Sequence, residues 1–236
     1  GVTIYRIGND YTTWKKGICD IIESVANINP FFYVGLKNVF KNYEIEHLHV
    51  HDLPLAGTCF AYKEKVKNLL VLDLHENFPE AIKTWFLWRK SKLIKWKNNL
   101  FMNPERWSKK EQNYCEKYDK VICVVEEMKE KIMTKFNIDP NKLVVISNHE
   151  KKTFRDNFMK YKTQSVIAKD VFSIAYVGGF GPHRGLDTCI KAMPRIVEKI
   201  PNAKLYLVGK GNKDVENHLK NLVRINNLES CVAFIG

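Results

Sequence analysis

Three groups of residues in this chain have the types and spacing that chemistry requires. The first lies in VFSIAYVGGFGPHRGLD, residues 171–187. An apolar run of Val171, Phe172, Ile174, Ala175, Tyr176 and Val177 reads as a strand buried on both faces of a parallel sheet. Gly178, Gly179 and Gly181 follow at once. Glycine lets backbone approach a ligand closely and adopts positive φ cheaply. A helix starting after such a turn aims free N–H groups and a partial positive charge back at it. Arg184 adds a planar fork of donors that fits phosphate. Together these would seat a diphosphate. The plain alternative is a tight strand-to-helix connection with a solvated arginine.

The second group closes two apolar strands. His49, His51 and Asp52 end a strand over 45–50, and His75 and Glu76 follow NLLVLDL. Two histidines and an aspartate can ligate a metal, but alternation along a strand sends Asp52 to the face opposite His49 and His51. The simpler reading is a histidine packed in the sheet, with Asp52 capping a helix that opens at Pro54. His75 can donate a hydrogen bond to a sugar hydroxyl or a phosphate, and Glu76 can hold a hydroxyl or act as a base. The alternative there is a helix N-terminal acid beside a satisfied histidine. The third group, Gly209, Lys210 and Gly211 after AKLYLV, is either a loop beside a nucleotide or an ordinary turn. No GxxxxGK[ST] loop is present, and GxGxxG breaks at Arg184.

These groups need a frame. Strands are expected at 2–7, 45–50, 68–74, 120–125, 143–147, 171–177, 203–208 and 231–235. Helices are expected at 14–28, where Ile18, Ile21, Ile22 and Val25 recur at helical spacing, at 30–42, 54–67, from Pro79, from Pro104 to Tyr118, from Glu126, at 185–199 and at 214–226. Pro194 should kink or interrupt its helix. Residues 150–170 carry much charge and no period, and read as the crossing between two domains. Alternating strands and helices imply parallel sheets, which bind ligands at the carboxyl ends of their strands. His49/His51/Asp52, His75/Glu76, Asn148/His149, Gly178/Gly179 and Gly209/Gly211 all fall there. That recurrence argues for a cleft lined from both sides.

The 236 residues suffice for one large domain or two small ones, and 45% hydrophobic with 27% charged residues is a soluble globular composition. No run of 18 apolar residues exists to span a membrane. Six cysteines without a CxxC pair read as reduced thiols in a reducing cytosol. Net charge is +12, and 83–110 holds nine basic residues against one acid, eight of those twelve charges. Trp85, Trp88, Trp96 and Trp107 lie among these cations. This is the composition of a helix at a membrane interface on anionic lipid. An ordinary helix with one buried face explains it as well, and nucleic acid is not expected. The opening GVTIYRIGND and the closing CVAFIG both look like strands, the pattern of a piece of something longer.

VGGFGPHRGLDTCIKAMP followed by AKLYLVGKG resembles the opening of the nucleotide-binding domain in glycosyltransferase family 4, of the GT-B fold. HVHDLPLAG, LVLDLHENFPE, KVICVVEEMKEKI and LVVISN resemble the acceptor-side domain of the same family. The resemblance implies an α/β protein of two Rossmann-like domains with parallel sheets. Residues 1–150 would be the acceptor side without its first strand, 151–170 the crossing, and 171–236 the first half of the nucleotide-sugar domain, which is thus incomplete. It implies transfer with retention from a UDP- or GDP-linked sugar to a glycan or lipid-linked acceptor, with no cofactor and no metal required. His75 falls where the family places a histidine near the transferred sugar, and Arg184 where it places a cation on the diphosphate. Gly178 and Gly179 fall beside that diphosphate, Gly209 and Gly211 near the nucleoside, and Asn148 at the end of the last strand before the crossing. His51, Asp52 and Glu76 fall on the acceptor side. The family often has arginine where this chain has Gly179, and its paired-glutamate segment lies beyond Gly236. The expected role is surface polysaccharide or glycolipid synthesis in the cytoplasm, peripheral on the inner face of the cell membrane through 80–110. The rivals are a GT-B sugar-nucleotide epimerase or hydrolase, and a non-catalytic module that binds polyanions or membranes.

Overall fold

The computed structural model describes residues 2–7, 12–85, 92–158 and 170–236. The chain divides into two compact units, one of residues 1–82 and 97–149, the other of 83–96 and 150–236. Expectations for Trp88 and for most of the 150–170 crossing lie outside the described residues.

The first unit opens with α1 (Thr13–Ala26) and α2 (Pro30–Asn42). It continues through β1 (Ile45–His51), α3 (Ala56–Phe60), β2 (Val66–Leu74) and the start of α4 (Phe78–Trp85). The end of α4 and the first half of α5 (Lys92–Phe101) are grouped with the second unit; the rest of α5 leads in the first unit to α6 (Pro104–Lys117), β3 (Lys120–Cys123), α7 (Glu126–Phe136) and β4 (Leu143–Val145). Its sheet is wholly parallel in the order β1-β2-β3-β4, with His51 beside Asp73 and Leu74 beside Cys123. Leu70, Leu72 and Leu74 of β2 and Val121 and Cys123 of β3 are buried, as central strands require. Tyr118 is fully buried, and its hydroxyl donates to the Ala56 carbonyl at 2.7 Å.

Three expectations for this unit are corrected. Residues 2–7 form no strand; Val2 and Ile4 are exposed, and no neighbouring strand pairs with them among the described residues. The helix expected over 54–67 is only α3, because buried Tyr62 donates its hydroxyl to the Tyr33 carbonyl at 2.8 Å and draws the chain out of helix. The isoleucine spacing of α1 marks no buried face. Ile18, Ile22 and Val25 are exposed, while Cys19, Glu23 and Ser24 are buried. Polar contacts decide that orientation. Lys110 Nζ donates to the carbonyls of Ser24 at 2.6 Å and Glu23 at 3.2 Å, and Glu23 accepts from the Asn29 side chain at 2.8 Å.

In the second unit α8 (Lys152–Phe158) precedes β5 (Phe172–Val177), α9 (Leu186–Lys199), β6 (Ala203–Val208), α10 (Lys213–Ile225) and β7 (Val232–Ile235). The sheet is parallel in the order β5-β6-β7. Its core gathers Leu186, Ile190 and Met193 of α9, Ala203, Leu205 and Leu207 of β6, and Val215, Leu219 and Val223 of α10. Within residues 170–236 β5 pairs with β6 alone, so Phe172 is 50% and Val177 78% exposed rather than buried on both faces. β6, between two neighbours, is the core strand of these three. Pro194 does not interrupt α9, which runs unbroken with Ile190 and Met193 packed in the core. Side-chain burial outweighs the lost backbone bond.

All six cysteines are free, five of them buried and Cys189 exposed. Burial pushes the Cys59 thiol up to about 12 and Cys123 up to about 11, and Cys115 is raised for the same reason. Burial also lowers the Lys110 ammonium to about 8, with Arg106 adding to the effect. These shifts set an alkaline limit. The raised thiols contribute fully below the unfolded thiol value of about 8.5, and their contribution is lost as pH climbs above it, because only the unfolded chain can ionise. The loss is about 1.4 kcal/mol per thiol per pH unit. Depressed Lys110 acts oppositely above pH 8, but it is one group and is partly screened. The urea midpoint should therefore fall from pH 8 to pH 10, and a thiol reagent at pH 8 should label Cys189 alone. A rising midpoint or several fast-reacting thiols would contradict this.

Candidate functional site

In the first unit the parallel pairing of β1 with β2 gathers four side chains at the strands' carboxyl ends. His49 and His51, two residues apart, share a face, and their rings stack at 4.9 Å. His75, just past β2, continues the stack, 4.8 Å from His51. Asp73 lies beneath. Its Oδ2 is 2.8 Å from His49 Nε2, 3.1 Å from His75 Nε2 and 3.9 Å from His51 Nδ1. The Asp73 side chain is only 9% exposed, against 48% for His49 and 65% for His51. Two buried polar atoms there have no hydrogen-bond partner among the described residues, Asp73 Oδ1 and His75 Nε2, the latter near Oδ2 but misaligned.

Asp52 caps no helix. α3 starts at Ala56, and the Asp52 carboxylate instead accepts from the His75 backbone N–H at 3.3 Å. Its own N–H donates to the Asp73 carbonyl at 2.9 Å, and its φ is +65°, a left-handed conformation that aspartate tolerates better than most residues. Glu76 is exposed at the following turn. Lys131 of α7 donates to the Asn77 side chain at 2.8 Å and to Glu111 at 3.0 Å, which ties this turn to the core. Spacing along the chain does not single out Asp73. Its signal is a lone carboxylate inside the apolar run NLLVLDL, and only the β1–β2 register puts it beside His51.

In the second unit the two glycine turns lie side by side. Gly178 N–H donates to Val208 O at 3.0 Å, Phe180 N–H to Lys210 O at 2.8 Å, and Gly209 N–H to Ile235 O at 2.8 Å. Gly178 has φ +152° and Gly209 φ +141°, and a β-carbon on Gly209 would fall 1.9 Å from the Gly178 carbonyl oxygen. One on Gly211 would meet the Phe180 carbonyl oxygen at 2.8 Å. Neighbouring protein backbone thus already requires glycine at 209 and 211. Gly179 differs, because a β-carbon there meets nothing nearer than Lys210 O at 4.0 Å. Phe180 anchors the pair of turns. It is buried, with its ring 6.2 Å from Phe234 and 6.2 Å from Tyr176. A cavity of about 170 Å³ opens beside it, lined by Gly209, Lys210, Glu216 and Lys220 among others.

A single 3₁₀ turn, Pro182–Arg184, separates the glycines from α9. The cap residue of α9 is Gly185 at φ +69°, and no side chain caps the helix, so its first N–H groups are open to an anion. Asp187 in that first turn would repel one, but Lys191 pairs with it at 3.2 Å. Arg184 is exposed and its guanidinium has no protein partner among the described residues. Partial burial and then the Arg184 charge hold the His183 imidazole below its ordinary range, which favours the neutral ring.

The basic aromatic segment is divided. Trp107 of α6 is buried against Phe78, ring centroids 4.6 Å apart, with Lys110 Nζ 4.3 Å from its ring. Trp96 and Leu100 of α5 are 64% and 47% exposed. No helix among the described residues is long and apolar enough to cross a membrane.

Two parallel α/β units with polar residues at their strand ends define a Rossmann-like protein of the GT-B fold class. Residues 20–149 match the model of Glycosyltransferase Family 4, and 157–236 match that of Glycosyl transferases group 1. The chain belongs to Glycosyltransferase Family 4. A curated relative, an uncharacterized glycosyltransferase of Methanocaldococcus jannaschii, is 28% identical over 96% of this chain, and the chain spans 57% of its length. Among solved structures, sucrose-phosphate synthase of Thermosynechococcus elongatus superposes with a TM-score of 0.65 at 18% identity, over 88% of this chain and 49% of that one. Anabaena HepE in complex with UDP and glucose gives 0.58 at 15% identity, over 85% and 50%. A UDP-forming trehalose-phosphate synthase of Burkholderia xenovorans gives 0.58 at 13%, over 96% and 54%.

Proposed function

We propose that the protein moves a hexosyl group from a nucleoside-diphosphate sugar to a glycan or lipid-linked acceptor, with retention at the anomeric carbon. The observation that carries this is the sequence of features leading into α9 of the second unit. The turn at Gly178, an Arg184 guanidinium without a partner among the described residues and the uncapped N-terminus of α9 follow one another within residues 178–186, in a chain of this family. In the transfer, the C–O bond to the diphosphate breaks and its electron pair leaves with the phosphate. The acceptor hydroxyl oxygen bonds to the same face of the anomeric carbon, and its proton passes to the departing phosphate oxygen. Negative charge grows on that phosphate, where positioned N–H groups and Arg184 lower the barrier. His75 would hold a hydroxyl of the transferred sugar, and His51, Asp52 and Glu76 would meet the acceptor. Gly209 and Gly211 would shape the nucleoside side.

A UDP-linked sugar is the first donor to try, since UDP accompanies one similar structure and is named as a product for another. The pathway we favour is surface polysaccharide or glycolipid synthesis on the inner face of the cell membrane. There exposed Trp96 and Leu100, on a strongly basic segment, would lie against anionic lipid. The test is product analysis after incubation with UDP- and GDP-sugars and a lipid-linked acceptor. A glycoside of the donor's own anomeric configuration supports transfer. Free sugar alone, or an epimerised nucleotide sugar, contradicts it.

A further inference from the structure

Of the polar cluster at the ends of β1 and β2, the proposed transfer assigns roles to His51 and His75 but none to His49 or Asp73. We infer that His49, His51 and Asp73 form a site for a zinc-class transition-metal dication. The site shares His51 with the acceptor side of the proposed transfer, and its test reads metal binding rather than activity.

The donor atoms of His49, His51 and Asp73 all lie within 4.8 Å of one another. Metal–donor bonds near 2.0–2.1 Å in a tetrahedron put donors about 3.3 Å apart. The distances from Asp73 Oδ2, 2.8 Å to His49 and 3.9 Å to His51, straddle that value, and water would complete the shell. Small rotations of the exposed imidazoles close the set. The chemistry selects the ion. Imidazole nitrogens with one carboxylate suit Zn²⁺, Co²⁺ or Ni²⁺, whereas Mg²⁺ and Ca²⁺ prefer all-oxygen shells.

Two further observations point to a ligand. The Asp73 carboxylate is nine-tenths buried, yet no lysine or arginine among the described residues pairs with it, and only imidazoles face it. A buried carboxylate is costly without a counter-charge, and a dication would supply it. The unpartnered atoms Asp73 Oδ1 and His75 Nε2 lie within the same cluster. His49 Nε2 now faces Asp73 at hydrogen-bond distance; on binding, its proton would leave to solvent and the metal would take its place.

The experiment uses the full chain after chelator treatment. It is titrated with Zn²⁺ by calorimetry, and with Co²⁺ by visible absorption. One equivalent should bind, and Co²⁺ should give the intense bands of a four-coordinate site. His49→Ala and His51→Ala replace exposed side chains and leave the sheet intact, and each should weaken Zn²⁺ binding at least tenfold. His218→Ala, in the other unit, should leave it unchanged. No saturable binding, or affinity unchanged in both His49→Ala and His51→Ala, would overturn the inference.

Discussion

Replacing Gly209 with alanine is expected to destabilise the second unit by about 2–5 kcal/mol, the sum of overpacking and backbone strain. The added β-carbon would lie 1.9 Å from the Gly178 carbonyl oxygen and 2.9 Å from its carbon, at φ +141°. The obstacle is backbone, so no side-chain rotation relieves it. Nor can Gly209 retreat, because its N–H donates to Ile235 O and thereby ties β6 to β7. Gly179→Ala makes the natural control, since a β-carbon there has open space. Its unfolding free energy from urea titration should match the parent's to within about 0.5 kcal/mol. Equal stability of Gly209→Ala and Gly179→Ala would show that the two turns do not pack as described. If the proposed donor site is right, Gly209→Ala also disturbs Gly178, on the diphosphate side.

Lys131→Met should cost about 3 kcal/mol at neutral pH, the usual effect of stranding a buried charge. Glu111 is fully buried, and its Oε2 accepts from Lys131 Nζ at 3.0 Å. Burial raises the Glu111 carboxyl, and Lys131 is the largest influence opposing that rise. Removing Lys131 raises it further, and the sign of the pH dependence follows. Below the unfolded carboxyl value of about 4.3 both states are protonated and the added penalty vanishes. As pH rises above that value, the unfolded chain ionises first and the penalty of the variant grows. The gap between parent and variant should thus be small near pH 4.5 and large at pH 7, with Glu111→Gln in the same chain recovering part of it. An equal gap at both pH values would mean that Glu111 is not the group concerned. Lys131 also holds the Asn77 side chain, two residues past His75. The same variant should therefore loosen the turn that carries His75.

Much of the architecture was legible because alternation of apolar strands with amphipathic helices survives in the letters alone. The strand–helix order from β1 to β7, and the polar residues at strand ends, follow from that period. What failed depended on neighbours. The run 171–177 is apolar enough for a central strand, but within residues 170–236 only β6 pairs with it, and how many neighbours a strand has is not a property of one segment. α1 turns Cys19, Glu23 and Ser24 inward because Lys110, far away in the chain, reaches the Ser24 carbonyl. The site shows the same divide. His51, His75 and Arg184 announce themselves by type and place. Asp73 does not, because its meaning comes from lying beside His51 across two parallel strands. Pro54 after Asp52 suggests a helix cap, yet the Asp52 carboxylate accepts from the backbone N–H of His75.

The central claim is that the glycine turn and the start of α9 seat the diphosphate of a sugar nucleotide. Calorimetric titration with UDP, GDP and their sugar conjugates, repeated with Arg184→Ala, tests it most directly. Saturable binding of one nucleotide, weakened tenfold or more by the substitution, is the predicted result, since a charge-assisted hydrogen bond contributes about 1.5–3 kcal/mol. Binding of neither nucleotide, or equal affinity in parent and Arg184→Ala, would contradict it.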